Sequence, residues 1–338
     1  MRAEPATAAI AGAVPAAVVE RIAAAKDVLT VCHERPEADA LGAALGVALA
    51  VESLGGTATP VCSDPVPVMY DFLRGMDRFA TDPGERVFDL IVAVDCGELA
   101  RVGGVLQRRP ELFRDVPIVN IDHHVSNTGF GTIDWVDPTA AAACEQVTLL
   151  VQALGLPLTV ADGMLADALL AGIVIDTATF QHPNTTPRTL RVAADLVAAG
   201  APLAEISRRL YRSKPNEQLK LFGFVLARMQ VEEGGRLVHA ALTQADLGAA
   251  GATPSQSEGI IDLLSQSETA DLVVLFSEQR DATTRLSMRT SARVDATRLA
   301  ERFGGGGHAR AAGATVQLPL AAAQERVLAE ARAVLAAS

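Results

Sequence analysis

The sequence predicts an α/β protein with a parallel-sheet N-terminal domain, a helical connector and a smaller α/β C-terminal domain. The chain has 338 residues, more than the roughly 100–200 residues of a usual domain. In the first half, short β-branched runs alternate with Ala- and Leu-rich helical stretches, the pattern of a parallel sheet covered by helices. From about residue 190 the pattern is helical, and strands return after a Glu-Glu-Gly-Gly turn. We therefore expect domains at 1–190 and 232–338, joined by a connector at 191–231.

The first-domain elements follow from apolar runs and their lengths. Runs that are almost continuously apolar suit strands buried on both faces of a sheet. Strands are expected at 29–32, 57–62, 88–94 and 117–121. Helices are expected at 40–54, 144–154 and 162–175. The segment 162–175 is apolar enough to be either, and its length favours a helix.

The connector and the second domain have their own patterns. In the connector, Leu219, Phe222 and Met229 recur at helical spacing, and Pro215 divides it. The second domain is expected to contain strands at 237–242, 272–276 and 285–288, with helices at 255–265 and 321–336.

Composition excludes several classes of protein. Lys and Arg total 29 against 40 Asp and Glu, a net charge of −11, which argues against a partner of duplex DNA. The four cysteines are far apart without a C-x-x-C pair, so a reducing, cytoplasmic location is expected. The longest uncharged run, 146–161, is too short to span a membrane. The Ala-rich start is a poor signal peptide and is predicted to be a tail before a helix.

Acidic and histidine residues stand repeatedly at the ends of apolar runs in the first half. These segments are H-E-R-P-E-A-D from His33, D-L-I-V-A-V-D to Asp95, P-I-V-N-I-D-H-H to His124 and A-L-L-A-G-I-V-I-D to Asp176. Ligand sites in open parallel sheets lie at the carboxyl ends of the strands. We therefore expect four separate segments to meet at one place.

The residue types at these ends indicate a metal centre. Imidazole and carboxylate without thiolate favour Mn²⁺, Mg²⁺ or Fe over a structural zinc. Six ligands are too many for one catalytic ion but suit two ions bridged by a carboxylate, a usual device for activating water against phosphorus. The six are His33, Glu37, Asp39, Asp95, His123 and Asp176.

A glycine-rich segment marks the second domain. G-G-G-G-H-A-R-A-A-G at 304–313 allows positive φ and close approach of backbone N–H groups to an anion. The segment lacks the Gly-Lys-Ser/Thr ending of a P-loop and the context of a dinucleotide fingerprint. Between 271 and 313, seven Arg stand against five acids, a local charge of 7 − 5 = +2. This local charge is opposite in sign to that of the whole chain.

Together these motifs resemble the DHH phosphoesterase superfamily, in particular its NrnA-like branch of oligoribonucleases and 3′-phosphoadenosine 5′-phosphate (pAp) phosphatases. The glycine-rich segment is similar to the signature of the DHH-associated C-terminal domain. The resemblance covers most of the chain, and the order and spacing of the motifs are more specific than any single one.

The resemblance implies roles for individual residues of the first domain. His33 and Glu37 would hold one metal, Asp39, His123 and Asp176 the other, and Asp95 would bridge them. It also implies catalytic roles for three residues: Asp122 as the acceptor that fixes the His123 imidazole, His124 as a phosphate-facing histidine and Arg101 as a phosphate contact. The family usually has Asp where this chain has Glu37, so either the ligand geometry is altered or the first metal site is weakened.

For the second domain, the resemblance implies a substrate-binding surface. The expected residues are Arg289, Gly305, Gly306, Gly307 and His308. A planar guanidinium suits bidentate phosphate binding. The cleft between the domains is the expected active site.

The implied activity is hydrolysis of RNA of a few nucleotides to nucleoside monophosphates and of pAp to AMP, with two divalent ions, Mn²⁺ first and Mg²⁺ or another divalent ion as the alternative. A cyclic di-AMP or pApA phosphodiesterase of the same fold, or a weakened nucleotide-binding regulator, are the alternative functions. A homodimer is expected by resemblance, and no membrane partner. Simpler interpretations stay open for single residues: Asp39 also suits a helix N-cap, the glycine run a loop without a ligand, and Arg101 a solvated charge.

Overall fold

The structure, a computed structural model, describes residues 14–337. The predicted N-terminal tail falls at residues 1–13, outside the described part of the chain. The chain divides into two compact units, Met1–Ser213 and Lys214–Ser338. Each unit has its own sheet and core, and the segment predicted as a connector is divided between them.

The first unit is built on a five-stranded, entirely parallel sheet in the order β2-β1-β3-β4-β5. Its strands are β1 (Asp27–Val31), β2 (Thr57–Val61), β3 (Leu90–Val94), β4 (Ile118–Asp122) and β5 (Ile133–Val136). The predicted parallel sheet is therefore confirmed. The edge strand β5 was not predicted, because it is only 4 residues long and mostly outside the core.

Helices cover both faces of this sheet. They are α1 (Ala16–Ala24), α2 (Ala38–Ser53), α3 (Gly104–Arg108), α4 (Pro110–Asp115), α5 (Ala143–Ala153), α6 (Met164–Asp176), α7 (Pro187–Ala198) and α8 (Leu203–Tyr211). Helix α2 is buried on every side from Ala38 to Val51, as expected of a helix that is apolar all round.

Glycines let α2 and α6 approach each other closely. A Cβ at Gly42 would lie 2.4 Å from the carbonyl oxygen of Ala168, and one at Gly46 would lie 2.8 Å from the Leu169 side chain. Larger residues at these positions would push the helices apart. This close packing brings the first turn of α2 beside the last turns of α6.

The second unit contains a mixed six-stranded sheet in the order β10-β11-β9-β8-β7-β6, in which only β7 and β8 pair in parallel. Its strands are β6 (Gln230–Glu232), β7 (Leu237–Leu242), β8 (Leu272–Glu278), β9 (Thr284–Thr290), β10 (Gly306–His308) and β11 (Ala311–Val316). Its helices are α9 (Asn216–Leu226), α10 (Gln244–Ala250), α11 (Ile260–Leu264), α12 (Thr297–Ala300) and α13 (Leu320–Ala336).

In the second unit, β6, α10 and α12 were not predicted, and two predicted segments fold differently. The helix expected at 255–265 is a 3₁₀ turn (Pro254–Ser257) followed by α11, since Gly259 adopts φ +88° between them. The glycine run forms β10 of a tight β-hairpin with β11. No helix in the described part of the chain is long and apolar enough to cross a membrane.

Candidate metal centre

The ends of three neighbouring strands begin the candidate site. Strands β1, β3 and β4 are adjacent and parallel, so the residues that follow them lie at one edge of the sheet. His33 follows β1, Asp95 follows β3 and His123 follows β4. Asp95 has φ +56°, a left-handed conformation that is uncommon outside glycine, and its N–H donates to the Ile121 carbonyl. The chain therefore turns sharply at Asp95.

The two carboxylate oxygens of Asp95 face different histidines. Oδ2 lies 3.4 Å from His33 Nε2, and Oδ1 lies 3.4 Å from His123 Nε2. Oδ1 is buried and has no hydrogen-bond partner among the described residues. A buried oxygen without a partner is costly unless a ligand satisfies it. This arrangement fits a carboxylate that bridges two cations.

The first group of possible ligands is His33, Glu37 and Asp95, whose ligand atoms all lie within 4.8 Å of one another. His33 Nδ1–H donates to the Glu34 carbonyl at 2.7 Å, which leaves the Nε2 lone pair for a ligand. Glu37 occupies the N-cap position of α2 but makes no side-chain cap hydrogen bond, so its carboxylate is not used there. Although Glu37 has one methylene more than Asp, its carboxylate still lies within this first group of ligands.

The second group is Asp39, His123 and Asp176, also within 4.8 Å. His123 Nε2 lies 3.3 Å from Asp176 Oδ2 and 3.9 Å from Asp39 Oδ2. The Asp39 carboxylate accepts the backbone N–H groups of Ala143 at 2.7 Å and Cys144 at 2.8 Å, at the start of α5. Asp39 is therefore not the N-cap of its own helix, a position that Glu37 occupies.

Asp176 reaches the site from a helix, as the length of its segment predicted. It is the last residue of α6, and Gly172 lies one turn before it. A Cβ at Gly172 would be 2.7 Å from Asp39 Oδ1 and 2.8 Å from Asp39 Cα. The glycine therefore permits the approach that brings Asp176 to the other ligands.

Polar side chains hold the end of α6 in place, and the sequence had not assigned them roles. The Tyr211 hydroxyl donates to the Ile175 carbonyl at 3.0 Å. His182 Nδ1 and Asn184 Nδ2 donate to the Asp176 carbonyl at 3.1 and 3.2 Å. These contacts satisfy helix-end carbonyls that have no partner within the helix. They follow from the fold of the loop, and the sequence pattern gives no direct sign of them.

Asp122 accepts hydrogen bonds from two residues next to the ligand groups. Its Oδ1 accepts from His124 Nδ1 at 2.7 Å and from the His123 backbone N–H at 2.9 Å. The implied contact with the His123 imidazole is therefore wrong, because the ring that Asp122 orients is that of His124. Asn127, which no sequence motif marked, donates its Nδ2–H to Asp122 Oδ2 at 2.6 Å.

The carboxylates repel one another in the absence of a cation. Burial, together with the charge of Asp95, raises the pKa of Asp39 to about 6 and also raises the pKa values of Glu37 and Asp176. Burial alone would lower the pKa of His123, but Asp95 and Asp39 outweigh it and raise this pKa to about 9. A bound divalent cation reverses this balance by favouring carboxylates and neutral imidazoles.

The residues present therefore fit divalent metal ions. All donors in the two groups are carboxylate or imidazole, and the buried thiols, such as Cys144, belong to neither group. Carboxylate and imidazole suit hard or borderline cations. The cluster can hold two ions that share Asp95.

Arg101 lies beside this centre. Its backbone carbonyl accepts the N–H of Glu34, which places the turn of Arg101 against the loop after β1. Its positive charge acts to lower the pKa of His33, although the contacts of that ring to Asp95 and Glu34 raise the pKa overall, against burial. Within the described residues its guanidinium has no ion-pair or hydrogen-bond partner, so it is available to an anion.

The predicted substrate residues of the second unit are only partly together. A cavity of about 1300 Å³ is lined by Arg289, Gly306 and Gly307, but not by Gly305 or His308. Arg289 is held by Asp262, with Nε 3.1 Å from its Oδ1.

The first two glycines of the run do not offer free N–H groups to an anion. The N–H groups of Gly304 and Gly305 donate to backbone carbonyls of the preceding turn. A Cβ at Gly305 would lie 2.1 Å from the Gly313 carbonyl oxygen, and one at Gly307 would lie 2.5 Å from that of Ala311. These two glycines are needed for the close pairing of β10 with β11. Among the three glycines predicted to bind substrate, Gly305 to Gly307, only Gly306 is open, since a Cβ there would meet no described atom within 4 Å.

Comparison with known proteins agrees with this geometry. Residues 27–173 match the DHH family N-terminal domain, and residues 234–337 match the DHHA1 domain. The fold and the site thus define a DHH-type phosphoesterase, a class that uses divalent metal ions.

The relatives define the family more narrowly. Over 299 residues the chain is 38% identical to the bifunctional oligoribonuclease and PAP phosphatase NrnA of Thermus thermophilus, covering 88% of this chain and 86% of that protein. It is 28% identical to the protein of the same name from Bacillus subtilis, covering 84% and 87%. The chain belongs to the NrnA family of DHH phosphoesterases.

A solved structure supports the fold. The exopolyphosphatase-related protein from Bacteroides fragilis superposes with a TM-score of 0.81 at 21% identity, covering 98% of this chain and 97% of that one.

Proposed function

We propose that this protein hydrolyses RNA of a few nucleotides to nucleoside monophosphates and dephosphorylates pAp to AMP. Its relatives from Thermus thermophilus and Bacillus subtilis carry both activities in their names. We further propose Mn²⁺ as the metal, with Mg²⁺ as the alternative, because the donor set contains carboxylates and imidazoles but no thiolate.

The single observation that carries the proposal is the geometry of Asp95. Its Oδ2 lies 3.4 Å from His33 Nε2, and its Oδ1 lies 3.4 Å from His123 Nε2. Oδ1 has no hydrogen-bond partner in the described part of the chain. When bound, a pair of divalent ions supplies a water of lowered pKa and neutralises charge on the phosphoryl oxygens. Hydrolysis then adds water across the P–O bond.

The other residues of the site orient the substrate and hold protons. Asp122 accepts from His124 Nδ1, and this contact, against the effect of burial, raises the pKa of His124. The His124 side chain is 38% exposed, so its Nε2–H is available to a phosphoryl oxygen. Asn127 keeps Asp122 in place through its own hydrogen bond. Arg101 is the proposed second cation for the phosphoryl group.

Arg289, with the open backbone at Gly306 and Gly307, is the proposed anchor for another part of the substrate. Gly305 is needed for the close pairing of the hairpin, and the exposed His308 stays a proposed substrate contact outside this cavity. We also propose a homodimer in the cytoplasm that binds no duplex DNA, consistent with the net charge of −11.

The test is a product profile of purified protein with pAp, pApA, cyclic di-AMP and RNA of two to five nucleotides, each with Mn²⁺ and with Mg²⁺. Release of AMP from pAp and of monophosphates from RNA supports the proposal. Preference for cyclic di-AMP or pApA would replace it with the phosphodiesterase alternative, and binding without turnover would indicate a regulator.

A Glu37→Asp variant separates the two explanations of the unusual ligand. If Glu37 is a working ligand with altered geometry, the wild-type protein turns over substrate and the variant changes its metal preference. If Glu37 weakens the first site, the variant gains both bound metal and turnover. Asp95→Ala is the inactive control for both experiments.

A further inference from the structure

One strand of the second unit presents a row of polar side chains to the large cavity. Along β9, Leu286 and Met288 point into the core, whereas Arg285, Ser287 and Arg289 line the cavity on the opposite face. At about 3.4 Å per residue, Arg285 lies about 14 Å from Arg289 along the strand. This separation exceeds the reach of a single phosphate group.

The surface beside this row is open. Across the sheet, Ala311 pairs with Arg289 and Gly313 pairs with Ser287, and both of these small residues line the cavity. On the other side of β9, Ser277 pairs with Arg285. The remaining β11 partner on this face, Thr315, pairs with Arg285, so an extended ligand along β9 meets no β11 side chain larger than threonine.

The cavity is larger than one nucleotide requires. Its volume is about 1300 Å³, whereas sites for single small ligands measure about 300–1,000 Å³. Arg289, the proposed anchor, is near one end of the row, and the additional room extends toward Arg285 and Arg280. When Arg289 holds the substrate, the end of the cavity that stays free therefore carries two further arginines, Arg280 and Arg285.

These two cations have no protein partner. The guanidinium groups of Arg280 and Arg285 make no ion pair or hydrogen bond with the described residues, whereas that of Arg289 is paired with Asp262. Unpaired guanidinium groups on a concave surface are suited to phosphate.

Two carboxylates line the same end of the cavity, and both already accept hydrogen bonds. Glu278 Oε2 accepts the Gln244 backbone N–H at 2.8 Å. Asp281 Oδ1 accepts the Thr283 backbone N–H at 3.1 Å and its hydroxyl at 2.7 Å. These acids reduce the local positive charge, so the effect of one phosphate contact here should be modest.

We propose that Arg285, assisted by Arg280, binds a backbone phosphate of RNA about 14 Å from the group held by Arg289. This inference rests on the proposed function and adds a determinant of substrate length to it. Arg285 then contributes to RNA of four or five nucleotides, whereas pAp or a dinucleotide held at Arg289 is too short to span the about 14 Å to Arg285.

The test compares Arg285→Ala with wild type on pAp, on a dinucleotide and on RNA of five nucleotides. We expect kcat/KM for the five-nucleotide RNA to fall about three- to tenfold, through KM, because a charge-assisted contact at an exposed site is lost. The values for pAp and the dinucleotide should stay within twofold. Arg298→Ala, which removes an exposed arginine that does not line this cavity, is the matched control.

A binding measurement makes the inference independent of turnover. Fluorescence anisotropy with labelled five-nucleotide RNA in EDTA should show weaker binding by Arg285→Ala, partial recovery in Arg285→Lys, and a slope of log affinity against log salt reduced by about 0.7. If wild type hydrolyses no RNA, the proposed function fails, and this measurement still decides the role of Arg285. Equal losses on pAp and five-nucleotide RNA, or unchanged binding of the long RNA, would overturn the inference.

Discussion

Gly172 offers a direct test of how the metal centre is assembled. In a Gly172→Ala variant the new Cβ would lie 2.4 Å from Cys144 Sγ, 2.7 Å from Asp39 Oδ1 and 2.8 Å from Asp39 Cα. The sulfur can rotate away to some extent, but Asp39 Cα belongs to the backbone of the buried helix α2. The helices α2 and α6 must therefore separate, or Asp39 must shift.

The cost can be worked out from these contacts. Overpacking a closely packed interior costs about 1–3 kcal/mol, whereas replacing a glycine inside a helix by alanine returns about 0.5–1 kcal/mol. We expect the free energy of unfolding of the first unit to fall by about 1–2 kcal/mol, which lowers its Tm by about 2–8 °C for a unit of this size. A displaced Asp39 should also weaken metal binding by about tenfold or more.

The assay combines thermal unfolding followed by circular dichroism with a titration of Mn²⁺ into metal-free protein. Gly223→Ala is the matched control, since Gly223 lies inside α9 and a Cβ there would meet nothing within 4 Å. It should raise the stability of its helix by about 0.5–1 kcal/mol and leave metal affinity unchanged. A Gly172→Ala protein as stable as wild type, with the same Mn²⁺ affinity, would refute the argument that this close approach positions Asp39.

Four further substitutions or conditions test the metal centre, the core of the first unit and the second-unit cavity. Asp95→Ala should reduce turnover to background on every substrate and lower the metal bound per chain, measured by elemental analysis, because Asp95 belongs to the first ligand group and its Oδ1 faces His123 of the second; retained activity would exclude a bridging role. The pKa of His123 in the metal-free protein is raised to about 9, so metal binding at pH 7 must release its proton, and affinity should rise by up to about tenfold per pH unit until about pH 9. Calorimetry in buffers of different ionisation enthalpy measures this release, and no dependence on buffer would contradict it. Glu145→Gln should destabilise the first unit by about 2–4 kcal/mol in chemical denaturation, because the buried Glu145 carboxylate pairs with Arg188 and accepts the Ala141 N–H; an unchanged midpoint would show that this network is dispensable. Arg289→Ala should raise KM and leave the metal content intact, and loss of metal would show that the two units do not divide these tasks.

The sequence predicted the elements of the first unit well because their signals are local. The β-branched runs become β1 to β4 within about two residues of the expected bounds, and the segment 162–175 becomes the helix α6. Strand β5 and the hairpin of β10 and β11 were missed, since a short edge strand and a glycine run carry little hydrophobic pattern.

The candidate site was likewise predicted in part and missed in part. The motifs predicted that His33, Asp95 and His123 would meet, and the structure brings their ligand atoms together. The partner of Asp122 was misassigned, because two adjacent histidines differ only in the direction of their side chains. Asn127 was missed, because an asparagine in a loop usually serves a turn.

The amino-acid sequence by itself determined the parallel sheet, the strand-end positions of the acidic and histidine residues, and the family to which their order belongs. Hydrophobic periodicity and chain direction act over a few residues, so they can be read without coordinates. Only the tertiary structure decided which atoms meet. Asp39 Oδ1 accepts the N–H of Cys144, 105 residues away, and Asp95 presents one oxygen to each histidine. Such contacts depend on how closely α2 and α6 pack, and that distance depends on the absence of a side chain at Gly172.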